Sequence, residues 1–87
     1  MKIAVQLDPL DSLDTEKDSS LYLIREALRQ GDVVWYYLPK DLYIDCGIVK
    51  ALCKRLFLLN DTLEEEQEKI AIDLNDMDVV MIRNNPP

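Results

Sequence analysis

Six consecutive β-branched, aromatic and aliphatic residues, Val33-Val34-Trp35-Tyr36-Tyr37-Leu38, run without a polar break into Pro39. A strand with one wet face alternates polar and apolar side chains. A run with no polar position reads as a strand buried on both faces, and Pro39, which has no N–H to donate, closes it. The rest of the chain must therefore supply cover on both sides of this strand. At 87 residues, 48% of them hydrophobic, one modest core is available, because a domain of this size buries only about 60–65% of its unfolded surface.

Upstream, Ile3, Val5 and Leu7 alternate with Lys2, Ala4 and Gln6 and stop at Asp8-Pro9, the pattern of a short strand. Leu10 to Glu16 carries three acids and no period, which predicts a long loop of the kind that is often functional. From Asp18 the period changes: Leu21, Ile24 and Leu28 share one helical face, widened by Leu23 and Ala27, and Arg25, Glu26 and Arg29 point outward. Asp18 or Ser19 can cap the free N–H groups at its start, and Gly31 can take the left-handed conformation at its end. Strand, helix and strand in this order predict a right-handed parallel unit.

Leu42 to Asp45 and Ile48 to Leu59 flank Cys46-Gly47, which predicts an antiparallel hairpin with Gly47 at positive φ. Glu64, Glu65, Glu66 and Glu68 crowd Thr62 to Lys69, read as a solvated helical turn or loop. Asp73, Asp76 and Asp78 precede Val79-Val80-Met81-Ile82, read as a second buried strand that leads to Arg83-Asn84-Asn85-Pro86-Pro87. These elements predict an α/β fold: a mostly parallel sheet with one main helix and a β-hairpin.

Composition removes several functions. A net charge of −7 with no basic patch argues against nucleic acid, and no apolar stretch reaches the roughly 18–20 residues that a membrane span needs. Cys46 and Cys53 lack Cys-x-x-Cys spacing and the chain has no His, so they are expected to be free thiols of a cytoplasmic protein rather than metal ligands. The two glycines, Gly31 and Gly47, leave the first strand-to-helix turn without a phosphate-binding fingerprint. Nothing pairs a nucleophile with a base, so no catalytic residue is assigned.

Ligands of an open parallel sheet collect beyond the carboxyl ends of its strands. Three segments are expected there: Asp8-Pro9, Lys17-Asp18-Ser19-Ser20 and Arg83-Asn84-Asn85. Unpaired helix N–H groups, serine hydroxyls and a guanidinium fork together suit a carboxylate.

The same segments carry a resemblance. Asp8-Pro9, Lys17-Asp18-Ser19-Ser20, Glu26-Ala27, Arg29-Gln30-Gly31, Asp41-Leu42-Tyr43 and Asp78 to Arg83 followed by Pro86-Pro87 resemble, in order and spacing, the N-terminal domain of bacterial glutathione synthetases. The resemblance implies a Rossmann-like pre-ATP-grasp domain over residues 1–87, truncated, with the ATP-grasp region absent. It implies that the parent enzyme ligates γ-glutamylcysteine to glycine through an acyl phosphate, with ATP and Mg²⁺ as cofactors that this segment does not bind. Asp18, Ser19, Ser20 and Arg83 are the positions it assigns to the peptide-substrate pocket. Where the family usually carries Arg-Lys-Asp-Pro-Pro, this chain has Arg83-Asn84-Asn85-Pro86-Pro87. The segment alone is expected to be inactive and to form a homo-oligomer, because a missing helix would leave apolar strand residues bare. A non-catalytic interaction module and a receiver-like signalling domain are the competing readings.

Overall fold

The chain enters as strand β1 (Lys2–Gln6), followed in the described residues by helix α1 (Ser19–Arg29) and strand β2 (Val33–Tyr37). Our computed structural model describes residues 1–7 and 19–82. β1 and β2 pair in parallel, as the strand–helix–strand pattern predicts. The α1 terminus is a Schellman turn: the Asp32 N–H donates to the Ala27 carbonyl at 3.0 Å and the Gly31 N–H to Leu28 at 3.1 Å, with Gly31 at φ +89°. A 3₁₀ turn at Pro39–Asp41 then leads into β3 (Leu42–Asp45), β4 (Ile48–Leu59), β5 (Thr62–Glu65) and β6 (Ile70–Asp73), and a second 3₁₀ turn at Leu74–Asp76 precedes β7 (Val79–Ile82).

The sheet is mixed and mostly antiparallel, which corrects the expectation of a mostly parallel, Rossmann-like sheet. Among the described residues β1 lies parallel to β2 and β7, whereas β4 pairs antiparallel with β2, β3, β5 and β6. The physical reason lies in two tight turns. Cys46 and Gly47 (φ 52° and 79°) join β3 to β4, and Asn60 and Asp61 (φ 51° and 64°) join β4 to β5. Paired positive φ values mark turns whose twist matches that of two antiparallel strands, so each closes a hairpin within two residues. At twelve residues β4 is long enough to take partners on both sides: β3 and β6 along Ile48 to Cys53, β2 and β5 along Lys54 to Leu59.

Two further expectations change. The glutamate-rich stretch is a strand over Thr62–Glu65, with Leu63 and Glu65 half-buried and Glu64 exposed. Val79–Ile82 is an edge strand rather than a buried one, with Val80 40% and Ile82 69% exposed. The carboxylates before it fasten it down: Asp73 accepts from the Asn75 N–H at 2.9 Å, and Asp78 accepts from the Lys2 N–H at 2.7 Å.

The main core lies between α1 and the sheet and holds Val5, Leu7, Leu21, Ile24, Val34 and Leu56. A smaller one, Ala4, Tyr37, Ala51 and Cys53, occupies the other face, flanked by Trp35, Ile72, Leu74 and Met77. β2 is thus covered on both sides, as its sequence requires. Arg29, donating to Asp61 at 2.9 Å and to Glu26, ties the end of α1 to the β4–β5 turn.

Candidate functional site

Because β2, β1 and β7 run side by side and in parallel, their carboxyl ends emerge along one edge. The Leu7 N–H donates to the Tyr37 carbonyl at 3.1 Å, which joins two of those ends, and Gln6 stands in register with both Tyr37 and Ile82. The end of α1 feeds the amino end of β2 through Gly31-Asp32, so the helix runs antiparallel to the strands and starts at this same edge. Leu21 in its first turn is buried in one core with Leu7.

Ser19 and Ser20 are the first two residues of α1 and stand at that edge. Asp18 and Arg83, with Asp8, Pro9, Lys17, Asn84 and Asn85, lie outside the described residues. The fold thus brings together the ends that carry the expected site, namely Leu7, Ser19, Leu38 and Ile82.

One residue at this edge escaped sequence reasoning. Gln6 is 8% exposed, the buried polar side chain among the described residues, and it sits at the carboxyl end of β1 between β2 and β7. In the alternating pattern of β1 it lies on the same face as Lys2 and the buried Ala4. The available signal was an amide, rather than a charge, in the last place of the strand.

At the carboxyl end of β2 the electrostatics favour neutral or already paired groups. Burial, and secondarily the Asp41 carboxylate, push the Cys53 thiol up to about 12. Burial and then the Cys53 charge raise the Tyr37 phenol. Neither group ionises near neutral pH, so neither is an activated nucleophile. A hollow of about 130 Å³ here includes Tyr37, Leu38, Asp41, Lys54 and Lys69 in its walls. Its two ammonium groups face carboxylates: Lys69 meets both oxygens of Asp41 at 3.1 Å and Lys54 meets Glu65 at 3.5 Å. Among the described residues no group of three or more carboxylate, thiol or imidazole donors could hold a metal ion. No described helix is long and apolar enough to cross a membrane.

Residues 1–87 match the family of the prokaryotic glutathione synthetase N-terminal domain. The glutathione synthetase of Pseudomonas syringae pv. tomato is 32% identical over 89 residues, those of Vibrio vulnificus strain CMCP6 and Mesorhizobium japonicum 34% each. In each comparison all of this chain is covered and 28% of the relative, so the chain spans about a quarter of the length of the curated relatives it matches.

Proposed function

Given that this chain belongs to the prokaryotic glutathione synthetase N-terminal domain family, we propose that it is the substrate-side portion of an ATP-dependent ligase that joins γ-glutamylcysteine to glycine. The observation that carries this reading is the family match over every residue from 1 to 87. The geometry supports it in one respect: the ends of β1, β2 and β7 and the start of α1 share an edge where a small anionic ligand is expected. In this reading the N–H groups at the start of α1, Asp18, Ser19, Ser20 and Arg83 hold the peptide, with Arg83 on a carboxylate. ATP and Mg²⁺ supply phosphoryl activation of that peptide when bound. Their groups belong to the remainder of a protein of the relatives' length, and the segment alone is inactive. Its proposed setting is the cytoplasm.

Self-association is part of the same reading, with a second copy covering the edge strand β7. The supporting feature is its row of exposed Val79, Val80 and Ile82. Sedimentation of the 87-residue chain at micromolar concentration as a monomer would remove this part.

The function is tested on the protein translated from the complete reading frame that encodes this chain. The expected result is ADP release that requires both γ-glutamylcysteine and glycine. Arg83→Ala is expected to raise the KM for the peptide by about tenfold or more, the cost of one charge-assisted carboxylate contact. A complete product with no such activity overturns the ligase reading. An unchanged KM in Arg83→Ala overturns the assignment of Arg83 alone.

A further inference from the structure

On the sheet face turned away from α1, the antiparallel register sets Trp35 of β2 directly opposite Arg55 of β4. Side chains so placed are within reach of one another, and a guanidinium beside an indole face is an attractive pair. Just beyond, the chain between β5 and β6 leaves the sheet. The Glu66 N–H still donates to the Arg55 carbonyl at 2.8 Å, but residues 67–69 join no strand before Ile70 pairs with Cys53. This arch and the two strands bound a hollow of about 430 Å³ walled by Trp35, Arg55, Glu66, Gln67, Glu68 and Ile70. That volume lies in the range of about 300–1,000 Å³ common to small-molecule sites.

The walls hold one cation and two carboxylates, yet none of the ion pairs among the described residues uses Arg55, Glu66 or Glu68. By contrast Arg29, Lys50, Lys54 and Lys69 are each paired with a carboxylate. Ile70, 47% exposed, and the half-buried Trp35 add apolar surface to the same walls. A simple anion would meet two carboxylates in a protein of net charge −7, and a simple cation would meet Arg55. A ligand with both charges and an apolar portion meets the cation, the carboxylates and the apolar surface together.

We propose that this hollow binds a zwitterionic amino acid or short peptide. The carboxylate lies on Arg55, the ammonium on Glu66 and Glu68, and the apolar side chain against Trp35 and Ile70. The site lies on the opposite sheet face from α1 and does not depend on the ligase reading.

Trp35 is the one tryptophan of the chain, so its fluorescence reports on this hollow directly. The probe is the dipeptide Leu-Gly, compared with N-acetyl-Leu-Gly, which keeps only the negative charge, and Leu-Gly amide, which keeps only the positive one. A saturable change with Leu-Gly is expected, with both blocked peptides binding at least about tenfold more weakly. Arg55→Gln, an exposed position, is expected to remove the advantage of Leu-Gly over its amide. The double change Glu66→Gln, Glu68→Gln is expected to remove its advantage over the acetylated form. Circular dichroism verifies that each variant is folded. No saturable change at millimolar Leu-Gly, equal affinity for the three peptides, or an Arg55→Gln protein that binds as before would each overturn the proposal.

Discussion

Cys53 and Tyr37 share the small core on the face away from α1, and both are held in their neutral forms by burial. Their titration therefore links to stability with a definite sign. The thiol, ordinarily near 9, is pushed to about 12 in the folded chain. Between those values the folded protein keeps a proton that the unfolded chain releases. The stabilisation is fully present below about pH 9 and is lost as pH rises toward 12, and the raised Tyr37 phenol acts in the same direction above 10. The urea midpoint is expected to fall through this window, and to fall less steeply in Cys53→Ala. Equal alkaline slopes in the two proteins would show that the thiol carries no linkage. At this scale the sequence was readable wherever a residue acts through its own backbone or its near neighbours. Gly31 and Gly47 have the positive φ their positions suggested, and both cysteines are free. Gln6 and the Trp35–Arg55 pair were not readable, because their setting depends on which strand lies beside which. The expected carboxylate site is legible only as a convergence of strand and helix ends, since Asp18 and Arg83 lie outside the described residues.

At the scale of the element, the helix was legible because a 3.6-residue period and a terminal glycine report on the same stretch. Its closing turn yields a prediction. A Cβ added at Gly31 meets nothing within 4 Å, so Gly31→Ala carries no clash and only the cost of a left-handed backbone. A destabilisation of about 1 kcal/mol is expected from the urea midpoint, with Gly31→Asn costing less because Asn tolerates that conformation. If Ala is neutral there, the Schellman turn does not determine how the chain enters β2. The strand β5 was missed for a different reason. Glutamates are poor strand formers in isolation, but pairing of Thr62–Glu65 with Leu56–Leu59 overrides that preference. The half-buried Leu63 and Glu65 use the sheet's alternation. Tyr36 donates a hydrogen bond to Glu65, which gives one of those charges a buried-side partner. The Asn60-Asp61 turn was the readable clue, since both residue types tolerate positive φ. Reading it as a hairpin would have turned the sheet from mostly parallel to mostly antiparallel.

Across the whole molecule, β4 decides whether this chain behaves as one unit or two. Its first half belongs to an arm with β3 and β6, and its second half to the body with β2 and β5. The missing helix expected from the sequence would leave apolar strand residues bare. Instead β2 is interior, and exposure concentrates at β7 and at the hairpin arm, where Ile44 is 73% exposed. The arm packs Ala51, Cys53 and Ile72 into the small core with Ala4 and Tyr37 of the body, and it shares the continuous strand β4 with that body. Unfolding of the arm should therefore follow that of the body. The two can be watched separately, because Trp35 reports on β2 and a fluorophore on the exposed Cys46 reports on the hairpin tip, while Cys53 is buried from the reagent. Coincident urea transitions are expected from the two probes. Leu56, fully buried in the body half of β4, supplies the perturbation. Leu56→Ala removes core volume at a cost of about 2–5 kcal/mol, a large share of the roughly 4–13 kcal/mol expected for a domain of this size. Both transitions should shift to lower urea together. A Cys46 transition that precedes that of Trp35, or stays in place when Leu56 is truncated, would show that the arm folds and unfolds on its own and that β4 does not couple the two halves.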